Sequence, residues 1–514
     1  MRLFIATLIL AATMWGQGAG GVQFRDWNAP GGTVSAKTVC GELRNLTDYE
    51  LSVIGASLIP AAGDVPEHCR VSVLIAPQIN IEVNLPTAWN GRLYMFGNGG
   101  FAGESFNAPN RVANRGRALQ HGFATAATDT GHSAATEPGA SFAVNEQKLV
   151  DFGFRSLHLT AETAKRLVRA YYSQAPTKAY FDGCSQGGRQ ALIFAQRFPA
   201  DFDGILAGAP ALDNTGTMLA RAWWMQGLAN NPIPASKLKL VSDAVYEKCD
   251  AKDGLKDGLI DDPRRCGFEV ARDLPKCAAG LDKPDCFTPA EIASLERVHS
   301  DVVSQGKRLF PGWLFGAEIA GPNGQSGWIG QAVNGPNGST WTRYAETFLQ
   351  FMAFPEKDPY PLSRFDIDRD PARIGALGQI MNATDADLSA FERHGGKLIM
   401  YFGWADPQLN PMMGVEYYEK VAERMGSKTA DFFRLFMVPG MFHCGGGVGT
   451  STFDADTPLV RWVESGSAPE QIAASRIVDN KVVRTRPLCV YPQVARYKGS
   501  GSIDEAANFS CVKP

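Results

Sequence analysis

After its first fourteen residues this 514-residue chain has no apolar run approaching the ~20 residues that cross a bilayer. No membrane-spanning helix is therefore expected after the leader, and no membrane partner. Charge of one sign is equally scarce, with 50 Lys and Arg against 53 Asp and Glu for a net charge of -3, so there is no basic face for nucleic acid. No C-x-x-C spacing occurs, which removes the usual zinc-binding patterns. Repeats, charge blocks and low-complexity tracts are also missing, and with them the solenoid and disordered classes. At 45% hydrophobic and 20% charged, the chain has the makings of a large core, most simply in two structural units.

Met1-Arg2 and the apolar run Leu3 to Met14, followed by small residues at Gly16, Gly18, Ala19 and Gly20, read as a signal peptide over residues 1–19. A secreted or periplasmic protein is expected. Ten cysteines, an even number, suit an oxidising compartment and five disulfides. Local pairing suggests Cys40 with Cys69, Cys249 with Cys266, Cys277 with Cys286 and Cys489 with Cys511, although sequence does not fix connectivity. Cys184 and Cys444 are left over.

The stretch Lys178 to Arg189 carries the strongest chemical signal. A short apolar run leads into Gly183-Cys184-Ser185-Gln186-Gly187 and then a helix-like run, the strand, tight turn and helix of a nucleophile elbow. Glycines on either side suit a strained turn, and Ser185 would project near a helix N-terminus that favours a developing oxyanion. Gly91 to Phe96 reads as a strand running into Gly97-Asn98-Gly99-Gly100, a cluster able to bare N–H groups, so the oxyanion donors are expected at Gln186 and at Gly99 or Gly100.

Strands alternate with helices up to about residue 210, behind short antiparallel strands before Ala88, so an α/β fold with a mainly parallel sheet is expected. From 211 to 386 the chain is rich in Gly, Pro, Asn and Trp. Helices are expected there at Ser236 to Lys248, Pro289 to Ser304 and Thr342 to Met352, without clear strands. The organisation that follows is a hydrolase domain over 20–210 and 387–514, interrupted by an inserted unit over 211–386. The sheet resumes at Lys397 to Phe402 and Phe433 to Val438. Asp406 lies just past the first of these strands and His443 just past the second, giving the order Ser185, Asp406, His443 with each residue at a strand's C-terminal end. His443 would take the Ser185 proton while Asp406 steadies the imidazolium.

Cys184 precedes the candidate nucleophile and Cys444 follows the candidate base. A bridge between them would close a loop of 444 - 184 = 260 residues, worth roughly 5 kcal/mol in the chain-entropy model. Cys184-Ser185, His443-Cys444 and the upstream Asp406 together resemble the tannase and feruloyl esterase family, over nearly the whole mature chain. The resemblance implies an α/β-hydrolase fold, an inserted lid, and a serine carboxylic-ester hydrolase acting on small aromatic acid esters. It also implies a structural calcium in Cys249 to Asp261, held by Asp250, Asp253 and Asp257 through side chains and by Leu255 and Leu259 through carbonyls. Read from its residues alone, that loop is either an acidic turn or a calcium site. Leu409 matches a family position lining the acyl pocket. A terephthalate-cleaving member grips its substrate carboxylate with a lid arginine, for which Arg343 is the nearest counterpart in surroundings that differ. Feruloyl, hydroxycinnamoyl or galloyl esters are therefore expected ahead of terephthalate half-esters.

Trp223, Trp224, Trp313, Trp328, Trp341 and Phe348 are candidates for the aromatic roof over Ser185, with packing in the core as the favoured alternative for any one of them. The competing readings are a peptidase on the same fold and a non-catalytic binding protein on an inactive one. Asn45, Asn337, Asn382 and Asn508 lie in glycosylation sequons that matter only in a glycosylating host.

Overall fold

The computed structural model describes residues 24, 32–319, 327–333, 339–356 and 358–514. The leader expected over 1–19 and the sequon at Asn337 lie outside them. Nine strands form one sheet: β1 (Leu51–Ile59), β2 (His68–Ile75), β3 (Ile79–Pro86), β4 (Arg92–Phe96), β5 (Ala124–Thr128), β6 (Lys178–Cys184), β7 (Gly204–Gly208), β8 (Lys397–Gly403) and β9 (Phe433–Val438). Their order is β9-β8-β7-β6-β4-β5-β3-β2-β1. The six strands from β9 to β5 run parallel, and β3, β2 and β1 add an antiparallel edge. Both features match the sequence reading.

The parallel strands are apolar at nearly every position because both faces are covered. Along β8, Leu398, Met400 and Phe402 join the core beneath α2 (Ser156–Tyr172) and α3 (Gln186–Arg197). Ile399 and Tyr401 point the other way, into a second core with Ala118 of α1 (Pro109–Gln120) and with Leu459, Val460 and Trp462 of the helix Asp456–Ser465. Alternation at period two, with both sets apolar, fixes the sheet as the middle layer.

Among the described residues, none from 211 to 386 contributes a strand to this sheet. The segment holds α4 (Asn214–Asn230), α5 (Ala235–Cys249), α6 (Pro289–His299) and α7 (Thr340–Phe348). The helix expected over Pro289 to Ser304 stops at His299, and Val302–Ser304 pairs with Lys307–Phe310 as a hairpin. The β-branched Val302 and Val303 favour the extended chain, and Gln305 and Gly306, both at positive φ, make the two-residue turn. α7 likewise ends early, its last residues passing into a π-helical turn at Leu349–Ala353. All five expected cysteine pairs are bridged. No helix of the described residues is long and apolar enough to cross a membrane. The Asn382 sequon is taken up internally: its amide donates to Asp213 at 3.1 Å and Thr215 at 2.8 Å.

Candidate active site

Ser185 sits between β6 and α3 with φ 65° and ψ -119°, a conformation that costs a non-glycine residue energy and persists where the surroundings over-determine it. Its N–H donates to the Gly208 carbonyl at 2.9 Å, and its own carbonyl accepts from Ala211 N–H at 3.1 Å. A Cβ on Gly183 would lie 2.5 Å from the Gly187 carbonyl, and one on Gly97 would lie 2.6 Å from Gly187 Cα. Backbone therefore meets backbone where β4, β6 and α3 converge, which only glycine permits.

Beside the elbow lies the glycine loop after β4. Gly97 N–H bonds Asp182 O at 2.8 Å and Asn98 N–H bonds Gln190 Oε1 at 2.9 Å. Of the two glycines expected to face an oxyanion, Gly99 gives its N–H to Glu104 Oε2 at 3.2 Å. Among the described residues, the Gly100 and Gln186 N–H groups have no hydrogen-bond partner.

Asp406 follows β8 and is wholly buried. One carboxylate oxygen accepts the N–H groups of Gln408 (2.8 Å) and Leu409 (3.0 Å), and the other lies 2.7 Å from His443 Nδ1. That bond places the proton on Nδ1 and leaves Nε2 as the basic nitrogen. The loop carrying His443 turns through Gly440 and Cys444, both at positive φ. Cys444 is bridged to Cys184 with a Cα–Cα distance of 6.0 Å, so the residues flanking the bridge, Ser185 and His443, are held on neighbouring segments. Sequence spacing thus anticipated the acid–histidine contact and the bridge.

Comparison with known proteins bears on what this arrangement is. The family model for tannase and feruloyl esterase matches residues 63–512. The chain belongs to the tannase and feruloyl esterase family. It is 36% identical to a mono(2-hydroxyethyl) terephthalate hydrolase from Piscinibacter sakaiensis, over 88% of this chain and 86% of that protein. A probable feruloyl esterase B-1 from Aspergillus oryzae is 30% identical over 86% and 84% of the two chains. The crystal structure of feruloyl esterase B from Aspergillus oryzae superposes with a TM-score of 0.80 at 28% identity, covering 92% of this chain and 99% of the other. The protein is a carboxylic ester hydrolase of the α/β type.

Two elements of the 211–386 segment support the esterase's acid loop. Arg221 of α4 is buried and donates to the Gln408 carbonyl, and burial lowers its guanidinium to about 10. Trp341 Nε1 of α7 donates to Pro407 O at 3.0 Å. Neither role was visible in the sequence, where the one cue was a lone arginine within the apolar run Met218 to Trp224. Of the aromatic residues weighed between roof and core, most take the core place. Trp224, Trp313, Trp328 and Trp341 are at most 2% exposed and pack on one another, as with Trp313 on Trp341 at 4.4 Å. Phe348 is equally buried, and Trp223 lies under the Arg297 guanidinium at 3.9 Å. Tyr344 does reach the glycine loop: its ring tilts against Phe101 at 4.9 Å and its hydroxyl lies 2.7 Å from where a Gly100 Cβ would be. Leu409 is buried beside Asp406. Arg343 is exposed on α7, one residue before Tyr344.

In the esterase's acidic loop Asp250 accepts from the N–H groups of Asp257 and Gly258, both at 3.0 Å. Asp253 accepts from Leu255 N–H at 2.9 Å, and Asp257 pairs with Arg486 at 2.6 Å. Gly254 and Gly258 turn the chain at φ 98° and 78°. Burial raises the Asp253 carboxyl, and Asp257 and Asp250 push it further. Asp261 is raised to about 7 by burial and then by Asp253, Asp262 and Asp257. Among the described residues, no three acidic, histidine or cysteine side chains converge closely enough to hold a metal by themselves. The Cys249–Cys266 bridge closes the loop, and Leu259 packs toward Gly440 in the loop that carries His443.

Proposed function

We propose that the chain is an exported serine esterase that cleaves feruloyl, other hydroxycinnamoyl or galloyl esters through an acyl-enzyme. The observation that carries this is the 2.7 Å contact of His443 Nδ1 with buried Asp406, on a loop bridged to the residue before Ser185. Ser185 Oγ attacks the ester carbonyl as His443 Nε2 takes its proton, and Asp406 stabilises the imidazolium. The tetrahedral oxyanion is held by the N–H groups of Gln186 and Gly100, which have no other partner among the described residues. His443 then protonates the departing alcohol. Water, activated the same way, attacks the acyl carbonyl and releases the acid. Export is supported by the leader-like start and by five disulfides without a free cysteine among the described residues.

Ser185→Ala is expected to abolish hydrolysis of methyl ferulate and methyl gallate, read by release of the free acid. Residual turnover near the wild-type rate would remove the assignment. A terephthalate half-ester belongs in the same panel, because the 36% identical relative is named for one. Arg343, the nearest counterpart of a carboxylate-gripping lid arginine, is exposed on α7 one residue before Tyr344.

The acidic loop is assigned to calcium. Its donors are all oxygen, its glycines allow the chain to wrap, and, on top of burial, Asp257 and Asp250 push the Asp253 carboxyl up, a repulsion that a divalent cation joined by backbone carbonyls would relieve. Asp250, Asp253 and Asp257 with the carbonyls of Leu255 and Leu259 would hold the ion. Its part is structural, since the bonds from this loop lead to scaffold and not to Ser185.

A further inference from the structure

The two proposed oxyanion donors belong to different pieces of chain, Gln186 in the first turn of α3 and Gly100 in the loop after β4. An oxyanion hole works only when both N–H groups aim at one spot, within about 0.5 Å. Something must therefore set the distance between α3 and the loop.

One side chain spans that gap. Gln190 lies one turn after Gln186 on α3 and is wholly buried. Its Oε1 accepts the backbone N–H of Asn98 at 2.9 Å, and its Nε2 donates to Asn98 Oδ1 at 3.2 Å. The Asn98 amide is fixed from its other end, Nδ2 donating to Thr128 O at 2.9 Å. Turning either amide over would set like atoms against each other, so the bonds define one orientation. Glu104, paired with Arg111 at 2.5 Å, takes the next N–H, that of Gly99. Buried His132, whose Nε2 lies 3.0 Å from Phe101 O, must donate there because a carbonyl only accepts. The loop is thus pinned at residues 98, 99 and 101, and the Gly100 N–H has no partner among the described residues.

We propose that Gln190 is a positioning residue for catalysis. Through Asn98 it sets the spacing between the Gly100 and Gln186 donors, without touching substrate. The inference rests on the proposed Ser185 mechanism, and it predicts a specific kinetic signature. Loop spacing matters most when negative charge has developed on the carbonyl oxygen. Loss of the spacer therefore lowers kcat and leaves substrate affinity nearly unchanged.

The test compares wild type, Ser185→Ala, Gln190→Ala and Gln190→Glu on methyl ferulate, with fluorophosphonate labelling of the serine in parallel. Gln190→Ala is expected to lower kcat by about 10- to 100-fold, with KM within about twofold, and to slow labelling in the same proportion. Gln190→Glu carries its own signature. An ionised carboxylate repels Asn98 Oδ1, but a protonated one regains the donor, so its kcat relative to wild type rises as pH falls. Taken per serine labelled to completion, so that a pH-dependent folded fraction drops out, that recovery is not produced by a purely structural role, and Gln190→Glu carries the test alone where Gln190→Ala does not fold. Wild-type turnover by Gln190→Ala, or a Gln190→Glu ratio flat with pH, overturns the inference while an inactive Ser185→Ala leaves the mechanism standing. An active Ser185→Ala removes the mechanism itself.

Discussion

Glu318 shows how much a single buried carboxyl can matter. It is wholly buried, its oxygens accept the Gly316 N–H at 2.9 and 3.0 Å, and burial raises it from 4.5 to about 7, the Gly316 N–H and its own N–H opposing. A carboxyl raised by folding holds its proton longer in the native state, so its contribution to stability is complete below the unfolded value and is lost as pH rises through about 7. The shift corresponds to roughly 3 kcal/mol as an upper figure. Glu318→Gln, which stays neutral, is therefore expected to raise the melting temperature at pH 8 and to change it little at pH 4.5. Equal effects at both values would show that the carboxyl titrates alike in the folded and the unfolded chain.

At this scale the sequence was legible where chemistry follows chain position. Ser185, Asp406 and His443 each end a recognisable strand, and cysteines close in sequence found one another. Gln190, Arg221 and Tyr344 were not legible, because each acts through whatever the fold sets opposite it. A glutamine one turn into a helix looks the same whether it faces water or Asn98.

Among elements, the meeting of β4, β6 and α3 is the tightest joint. Gly97 is where β4 gives way to the glycine loop, and a methyl there would stand 2.6 Å from Gly187 Cα and 3.0 Å from Gly183 Cα. Neither neighbour is a side chain that can swing aside. Gly97→Ala is expected to lose about 1–3 kcal/mol of stability and to depress kcat as the loop is forced off the elbow. Gly375→Ala, where a methyl meets nothing within 4 Å, serves as the control and should melt as wild type does. Thermal melts and methyl ferulate kinetics on the pair decide it. Element boundaries were misread where local preference changed within one stretch. Pro289 to His299 has capping-box and helical signals, and the extended Val302–Ser304 was absorbed into the same helix. The parallel core strands were easier, since burial on both faces leaves an unmistakable apolar run.

On the scale of the whole molecule, the acidic loop joins regions far apart in sequence. C-terminal strands reach it through Arg486 on Asp257 and Arg484 on the Asp257 carbonyl at 3.0 Å. Arg264, just past the loop, covers the ring of Trp404 at 4.9 Å, two residues before Asp406. Chelation by EDTA is therefore expected to lower the melting temperature, with recovery on adding Ca²⁺ but not Mg²⁺, whose octahedral demand this loop of carbonyls and carboxylates does not suit. A melting curve indifferent to chelator would return the loop to an acidic turn pinned by arginines.

The Cys184–Cys444 bridge also imposes an order of events on the making of this enzyme. Its first sulfur emerges from the ribosome long before its second, so a half-made chain carries the serine with no histidine to rouse it. Only after the second sulfur has been translated and oxidised does the latch shut. A cell that keeps its thiols reduced would accumulate full-length, unlatched polypeptide, and recombinant production belongs in a periplasm or an endoplasmic reticulum.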